Sequence, residues 1–385
     1  MKTFSSDQDP YSITSVIVNK TIEQIQRNNP IRIAFLDIDF TLSSRVESIP
    51  LLLKKLEELG FIVAFVTSRT EEMLMDEKSY QKSVTYGFSR PEYHGKRQSE
   101  KYVYADPKEL YPYFINPDII IASTGTEIYI NQENGSYLHD LSFGKRENDW
   151  RKNICVMLDT IDQSLFSFSP IEDEENYHAG IADVFPPQFR IQVQFVSQDS
   201  MDKFLYELAK KITYESFSHV LKGTLPKIRI IDDSDRDKKQ FSLFITPVDM
   251  HKGSGVDHVL TKLTEKLRSL SKRKKYNFSH MEILIAGDSP ADYSMLFESA
   301  HGAKTTGLIV GGSRLHWLFD KTNKNKTLTD LQKRLHKTLR KGWYQYRSSL
   351  KEKRGVFFGD ERYPSTIGPE TILQYLEAIR RADKR

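Results

Sequence analysis

Short, nearly continuous apolar segments recur along the chain and predict buried β-strands. Five of them, rich in β-branched residues, lie at 31–39, 61–67, 118–123, 282–288 and 305–310. Uninterrupted apolar runs are typical of parallel strands that helices cover on both faces. Helical patterns lie between them, at 49–59, ending before Gly60, and at 255–270. We therefore predict an α/β fold with a Rossmann-like doubly wound parallel sheet as its core.

The middle of the chain has a different pattern. Alternating apolar and polar residues at 189–197 predict a half-buried strand, and two further strand-like runs follow at 227–233 and 241–247. Helical patterns at 151–162 and 201–212 accompany them. Half-buried strands with helices indicate an open-faced α+β module inserted into the first domain. The predicted organisation is an N-terminal extension (1–30), a discontinuous α/β core (31–146 and 247–385) and the inserted module (147–246).

Length and composition narrow the class of protein. A chain of 385 residues with 38% hydrophobic residues is long enough for two packed domains. Its single cysteine, Cys155, excludes an internal disulfide. The N-terminus lacks the apolar run of a signal peptide, and no segment reaches the about 18 apolar residues that span a bilayer. We expect a cytoplasmic protein that does not cross a membrane.

Two segments do not fit the α/β pattern. Residues 71–117 contain many tyrosines among charges and prolines, and a loop of that length is usually functional or mobile. Residues 321–354 carry twelve Lys or Arg against two acids. Leucines at helical spacing within the second segment favour a solvated helix face over a surface for nucleic acid or an anionic membrane. The role of both segments stays open.

Polar residues follow the predicted strands at their carboxyl ends. Asp37 and Asp39 end the first strand, Thr67 ends the second, and Asp288 ends the fourth. Ligands of open parallel sheets bind outside these ends, so the four side chains are expected to converge. Clustered carboxylates repel one another unless a cation joins them, and oxygen ligands suit Mg²⁺. Lys252 precedes a helix whose N-terminus would favour an anion.

This set of groups suits phosphoryl transfer. The reaction needs a nucleophile, positive charge against the phosphoryl oxygens, and in-line positioning. A carboxylate, a metal ion, a lysine and a hydroxyl supply those parts. The residues alone therefore predict a phosphate-handling enzyme with Mg²⁺ as its cofactor.

Four motifs also resemble a known family. LDIDFTL (36–42), VTSRT (66–70), HKGSG (251–255) and AGDSPAD (286–292) are similar, in order and spacing, to motifs I to IV of the haloacid dehalogenase-like superfamily. The resemblance implies a phosphoric monoester hydrolase that forms a phosphoaspartyl intermediate on Asp37. It implies that Asp39 is the general acid and base, and that Thr67 and Lys252 hold the phosphoryl oxygens. The implied metal ligands are Asp37, Asp39 and Asp288. Asp292 and Ser289 would support these ligands without contacting the metal ion, and Ser68 and Arg69 would contact the substrate.

The place of the insertion narrows the resemblance. The interval from Asp37 to Thr67 is too short for a domain, whereas the interval from Thr67 to Lys252 is long. That arrangement resembles the Cof-type and sucrose-phosphate-phosphatase-like branch, which has an α/β cap after the third strand. The resemblance implies that the inserted module (147–246) is the cap domain and that 31–146 and 247–385 form the catalytic core. STGTEIYI (123–130) resembles a segment of the sucrose-phosphate-phosphatase-like group. The branch implies a small phosphorylated metabolite, commonly a sugar phosphate, and possible substrate contacts from Gly125, Thr126 and Glu127.

Departures from the family pattern leave alternatives open. Ala291 stands where the branch usually has Asn, which removes one side-chain hydrogen bond near the phosphate. A phosphomutase would use the same residues without releasing phosphate. A regulatory or binding protein on a weakened scaffold is a third interpretation, from a different class. The substrate, the pathway and the oligomeric state are not determined by the sequence.

Overall fold

The computed structural model describes the following residues of the chain: 15–26, 30–39, 41–69, 117–132, 137–140, 143, 150–168, 189–220, 228–234, 241–270, 281–298, 304–310, 355–358 and 368–383. The basic segment 321–354 lies outside them, as does the tyrosine-rich segment apart from its last residue. Contacts divide the chain into two compact units. The first comprises 1–68, 100–143 and 252–385, and the second 69–99 and 144–251. The predicted cap boundaries at 147 and 246 stay predictions.

The described residues contain twelve β-strands, numbered along the chain. They are β1 (Ile31–Leu36), β2 (Phe61–Val66), β3 (Ile119–Ala122), β4 (Glu127–Asn131), β5 (Tyr137–His139), β6 (Ser167–Phe168), β7 (Ile191–Phe195), β8 (Ile228–Asp232), β9 (Phe241–Pro247), β10 (Met281–Gly287), β11 (Lys304–Ile309) and β12 (Gly355–Phe358).

The same residues contain six α-helices. They are α1 (Ser15–Gln26), α2 (Ile49–Glu58), α3 (Trp150–Leu158), α4 (Gln198–Val220), α5 (Lys252–Leu270) and α6 (Pro369–Asp383). Shorter 3₁₀ segments lie at Ser43–Ser48, Gln163–Leu165 and Pro290–Asp292, and one π-helical turn at Ser294–Glu298. None of the described helices is both long and apolar enough to cross a membrane.

The first unit is built on a sheet of eight strands in the order β12-β11-β10-β1-β2-β3-β4-β5. The six strands from β12 to β3 pair in parallel. Strands β4 and β5 extend the sheet as antiparallel neighbours. The predicted parallel-sheet core of the α/β fold is confirmed.

Both faces of this sheet are covered. Every residue of β1 is buried, and successive side chains of a strand point to opposite faces. On one face Ile31, Ile33 and Phe35 join a core cluster with residues of α1 and α5. Helix α2 packs on β2, and α6 packs on α2. This double coverage explains why the strands are almost free of polar residues.

The second unit has a smaller, antiparallel sheet. Its strands follow the order β6-β7-β9-β8, and every pairing is antiparallel. The alternation predicted for 189–197 is observed in β7, where Ile191, Val193 and Phe195 are buried. Phe204 of α4 contacts Phe195, with ring centroids 5.0 Å apart. This unit is therefore the α+β insertion expected from the pattern.

The predicted elements agree with the structure at the points that matter for the site. All five predicted parallel strands are present, and α2 is followed by Gly60 with φ of +73°. The helix predicted at 255–270 begins three residues earlier, at Lys252. Helix α6 and strand β12 were not predicted, because both follow the basic segment, where charge obscures the apolar pattern.

Candidate active site

The site lies where the strand order reverses. From β1 the chain continues to β2 and β3 on one side of the sheet, whereas β10, β11 and β12 lie on the other side of β1. Asp37 follows β1 directly and Asp288 follows β10 directly. The amide of Asp37 donates to the carbonyl of Ala286, at 3.0 Å, which holds the two strand ends side by side. Crevices at such switch points are where ligands bind to open α/β sheets.

Lys252, the first residue of α5, links two carboxylates in this crevice. Its ammonium donates to Asp37 Oδ1 and to Asp292 Oδ1, at 2.6 Å in each case. Its side chain is 1% exposed. Asp37 also accepts a hydrogen bond on Oδ2 from the hydroxyl of Thr41, at 3.0 Å. A buried ammonium is stable only where negative charges compensate it. Asp37 and Asp292 provide that compensation, so Lys252 is part of this cluster and not a surface residue.

Asp292 organises the loop that follows β10. Its Oδ2 accepts from the amides of Asp288 and Ser289, both at 2.9 Å, and from the hydroxyl of Ser289, at 3.0 Å. With Lys252 on Oδ1, the carboxylate has four donors, which is about its full capacity. A Cβ at Gly287 would lie 2.6 Å from that of Asp292, so only glycine allows this approach. Asp292 therefore has little capacity left for a further ligand.

Three carboxylates meet at this point. Asp37, Asp288 and Asp292 each offer an oxygen within 4.8 Å of the others, and all three residues are buried. Burial, together with the charge of Asp292, raises the pKa of Asp37 to about 7, although Lys252 opposes the shift. Burial disfavours the ammonium of Lys252, yet Asp292 and Asp37 hold its pKa above the ordinary value. The acids thus exceed the positive charge that Lys252 supplies.

The excess of negative charge indicates that a metal ion would fit this site. Buried carboxylates that share one lysine are under-compensated, and a divalent cation would restore the balance. The donors are all oxygens, which suits Mg²⁺. Because Asp292 already accepts four hydrogen bonds, Asp37 and Asp288 are the carboxylates of this group best able to ligate. Asp39, the third predicted ligand, is half-buried and lies outside the cluster, although its charge contributes to the raised pKa of Asp37.

The remaining predicted residues differ in their burial and in the unit to which they belong. Thr67 is buried, and its amide donates to the carbonyl of Ile121, at 2.8 Å, which places it at the shared end of β2 and β3. Ser68 is half-buried beside it. Arg69 is buried but belongs to the second unit. Ala291 is also buried, so no side chain replaces the asparagine expected there.

Of the predicted contacts, Gly125 and Thr126 lie in the turn after β3, and Glu127 is the first residue of β4. The hydroxyl of Thr126 donates to the carbonyl of Ser123, at 2.9 Å, and the carboxylate of Glu127 accepts from the hydroxyl of Ser123. These polar groups are engaged locally, with Ser123. Thr41, which contacts Asp37, was not among the predicted site residues, although it could have been found from its position four residues after Asp37.

No protein-family model and no curated protein matches the chain. Similar solved structures include a haloacid dehalogenase-like hydrolase from B. subtilis, at 12% identity, covering 72% of this chain and 88% of that one with a TM-score of 0.38. A second, YhjK from Bacillus subtilis, has 13% identity, coverage of 76% and 88%, and a TM-score of 0.36. Plasmodium falciparum IMP-nucleotidase has 12% identity, coverage of 68% and 60%, and a TM-score of 0.34. At such low identities and TM-scores, these structures say nothing about the reaction of this chain, which has to be inferred from its own side chains.

Proposed function

We propose that the protein is a Mg²⁺-dependent phosphatase that hydrolyses a small phosphate monoester through a phosphoaspartyl intermediate on Asp37. The observation that carries the proposal is the buried Lys252, held 2.6 Å from both Asp37 and Asp292. A lysine so placed offers a fixed positive charge beside a carboxylate nucleophile. With a divalent cation restoring the charge balance of the cluster, that pairing would suit an anionic substrate better than a neutral one. The family resemblance adds a sugar phosphate as the first substrate class to test.

The proposed metal site consists of Asp37 and Asp288. Asp39, predicted as a third ligand, lies outside the carboxylate cluster, and we assign it the proton transfers instead. Mg²⁺ bound there would supply positive charge against the phosphoryl oxygens. Asp292 would keep the loop carrying Asp288 in place, because its Oδ2 accepts from the Asp288 and Ser289 amides. This division of roles follows from the hydrogen bonds that Asp292 already accepts.

In the first step Asp37 attacks phosphorus, and the bond between phosphorus and the ester oxygen breaks. Thr41 and Lys252 orient the two carboxylate oxygens for this attack. Asp39 gives its proton to the leaving alcohol, and Thr67 and Lys252 hold the phosphoryl oxygens. In the second step water attacks the same phosphorus, Asp39 takes the water proton, and Asp37 leaves as a free carboxylate with inorganic phosphate as product.

The test is phosphate release from a panel of phosphate monoesters with saturating Mg²⁺. The wild type is expected to release phosphate, and Asp37→Asn to abolish it, because an amide is a far poorer nucleophile. Asp199→Asn, at an exposed carboxylate of α4, is the matched control and is expected to retain full activity. Activity that persists in excess chelator would overturn the metal assignment.

The same panel separates the alternatives. A phosphomutase would convert a sugar phosphate into its isomer, visible by ³¹P NMR, without releasing phosphate. Absence of turnover on every ester, with Mg²⁺ bound, would favour the regulatory protein. Two features of the sequence motivate this alternative: Ala291, which removes a polar group from the loop after β10, and the basic segment 321–354.

A further inference from the structure

We propose that the hydroxyl of Thr124 is an additional contact to the phosphoryl group of the substrate, an inference that rests on the proposed function. Thr124 lies in the turn 123–126, which joins β3 to β4. The substrate contacts predicted from the sequence are the three residues that follow it, and the structure favours Thr124 instead.

Thr124 is completely buried, and no residue in the described part of the chain hydrogen-bonds to its Oγ1. A buried hydroxyl without a partner destabilises the folded protein, so native structures seldom keep one. The neighbouring hydroxyls do not share this situation. Ser123 donates to Glu127, and Thr126 donates to the carbonyl of Ser123, at 2.9 Å. Thr124 is thus the hydroxyl of the turn with capacity for a ligand.

The backbone of the turn is strained. Ser123, Thr124 and Gly125 have φ of +53°, +64° and +88° in succession. A left-handed conformation is easy for glycine, but it is a genuine outlier for a β-branched residue such as threonine. Such strain persists where the surrounding structure enforces it, and it clusters at ligand-binding positions. The strain and the buried hydroxyl coincide at one residue.

The turn lies between two elements of the proposed phosphoryl site. The amide of Thr124 donates to the carbonyl of Thr67, at 3.0 Å. On its other side, Gly255 of α5 approaches the turn so closely that a Cβ there would lie 3.5 Å from the carbonyl oxygen of Gly125. Gly255 is in the first turn of the helix that begins at Lys252. Thr124 is therefore held beside Thr67 and beside the helix end that carries the buried ammonium.

A hydroxyl donor suits a phosphoryl oxygen at this position. Hydrogen bonds to charged oxygens are stronger than those between neutral groups, and a donor fixed in advance loses little entropy on binding. A phosphoryl oxygen would give Thr124 the acceptor that the described residues do not offer.

The experiment compares three variants of the full chain. Thr124→Val keeps the shape of the side chain and removes the hydroxyl, while Thr124→Ser keeps the hydroxyl. Thr306→Val, which removes a buried hydroxyl of β11 that is hydrogen-bonded to the hydroxyl of Tyr375, at 2.9 Å, is the control. Each protein is assayed for binding of inorganic orthophosphate by calorimetry with saturating Mg²⁺, for kcat/KM on the best ester, and for thermal stability in chelator.

We expect Thr124→Val to weaken orthophosphate binding and kcat/KM by roughly 10-fold to 100-fold, the usual effect of losing a hydrogen bond to a charged group. Its thermal stability should be unchanged or raised, because an unpartnered buried hydroxyl has been removed. Thr124→Ser should retain binding. Thr306→Val should show the reverse pattern, with lower stability, because Tyr375 loses a hydrogen-bond partner, and near-normal orthophosphate binding.

Two results would overturn the inference alone. Unchanged orthophosphate binding in Thr124→Val would show that the hydroxyl does not contact the phosphoryl group, even if the KM of the ester rises. A fall in stability equal to that of Thr306→Val would indicate a structural role. A wild-type protein that neither turns over any ester nor binds orthophosphate would instead contradict the proposed function, and this inference with it.

Discussion

Removing the ammonium of Lys252 is the perturbation that the structure makes most informative. Lys252→Met keeps the length and apolar stem of the side chain but leaves Asp37 and Asp292 facing each other without their shared cation. Breaking a buried ion pair by removing one partner typically costs about 3–5 kcal/mol, because the remaining charge stays buried. Domains are commonly stable by only about 5–15 kcal/mol, so the loss should be large.

The assay is urea unfolding at pH 8 in chelator, with Lys55→Met as the matched control. Lys55 pairs with Glu377, whose side chain is 43% exposed, in the same unit. An exposed pair contributes little, so the control should lose less than about 1 kcal/mol. The double variant Lys252→Met, Asp37→Asn should recover part of the stability, because one uncompensated carboxylate has become neutral.

Two results would refute this reasoning. Lys252→Met and Lys55→Met could unfold at the same urea concentration, which would mean that the buried charges are screened. The double variant could instead be less stable than Lys252→Met alone, which would mean that Asp37 contributes packing and not charge. If Lys252→Met does not fold in chelator, the double variant and the effect of added Mg²⁺ on both proteins still measure the charge balance.

Two further predictions concern the same cluster. The pKa of Asp37 is raised from 3.8 to about 7 in the folded protein. Protonation of Asp37 therefore stabilises the fold fully below about pH 4, and this stabilisation is lost as pH rises through about 7. It amounts to at most roughly 4 kcal/mol, at about 1.4 kcal/mol per unit of pKa shift. In chelator, raising the pH from 5 to 8 should lower the urea midpoint of the wild type more than that of Asp37→Asn. If the midpoints of both proteins changed in parallel with pH, the raised pKa of Asp37 would be contradicted. Gly287→Ala should lose about 1–3 kcal/mol and bind Mg²⁺ more weakly, because the new Cβ would lie 2.6 Å from the Cβ of Asp292. Urea unfolding and magnesium titration check this, and wild-type Mg²⁺ affinity would show that Asp292 does not position Asp288.

The sequence was sufficient for the five inner parallel strands of the large sheet and for the meeting of two acids at their ends. Apolar runs at 31–39 and 282–288 marked β1 and β10, because strands buried on both faces tolerate few polar residues. The carboxyl ends of parallel strands lie at one edge, so the meeting of Asp37 and Asp288 followed from the strand assignment alone.

Other features depended on side-chain directions that no pattern encodes. Asp39, expected among the metal ligands, lies outside the carboxylate cluster, whereas Asp292 lies within it. The engagement of Asp292 by Lys252, forty positions away, required the three-dimensional packing of α5 against the loop after β10. Thr124 was missed for a related reason. Glycine is the usual sequence signal of left-handed backbone, and here two non-glycine residues share that conformation with Gly125.

The central claim is that Asp37 carries the phosphoryl group during the reaction. Borohydride reduces an acyl phosphate to the corresponding alcohol, so quenching a reaction mixture of enzyme, Mg²⁺ and phosphate ester with borohydride should convert Asp37 to homoserine. Peptide mass spectrometry would locate the change. The account predicts reduction at Asp37 that depends on both the ester and Mg²⁺ and is absent from Asp37→Asn. Turnover of the ester without reduction at Asp37, or with reduction at Asp39, would contradict it.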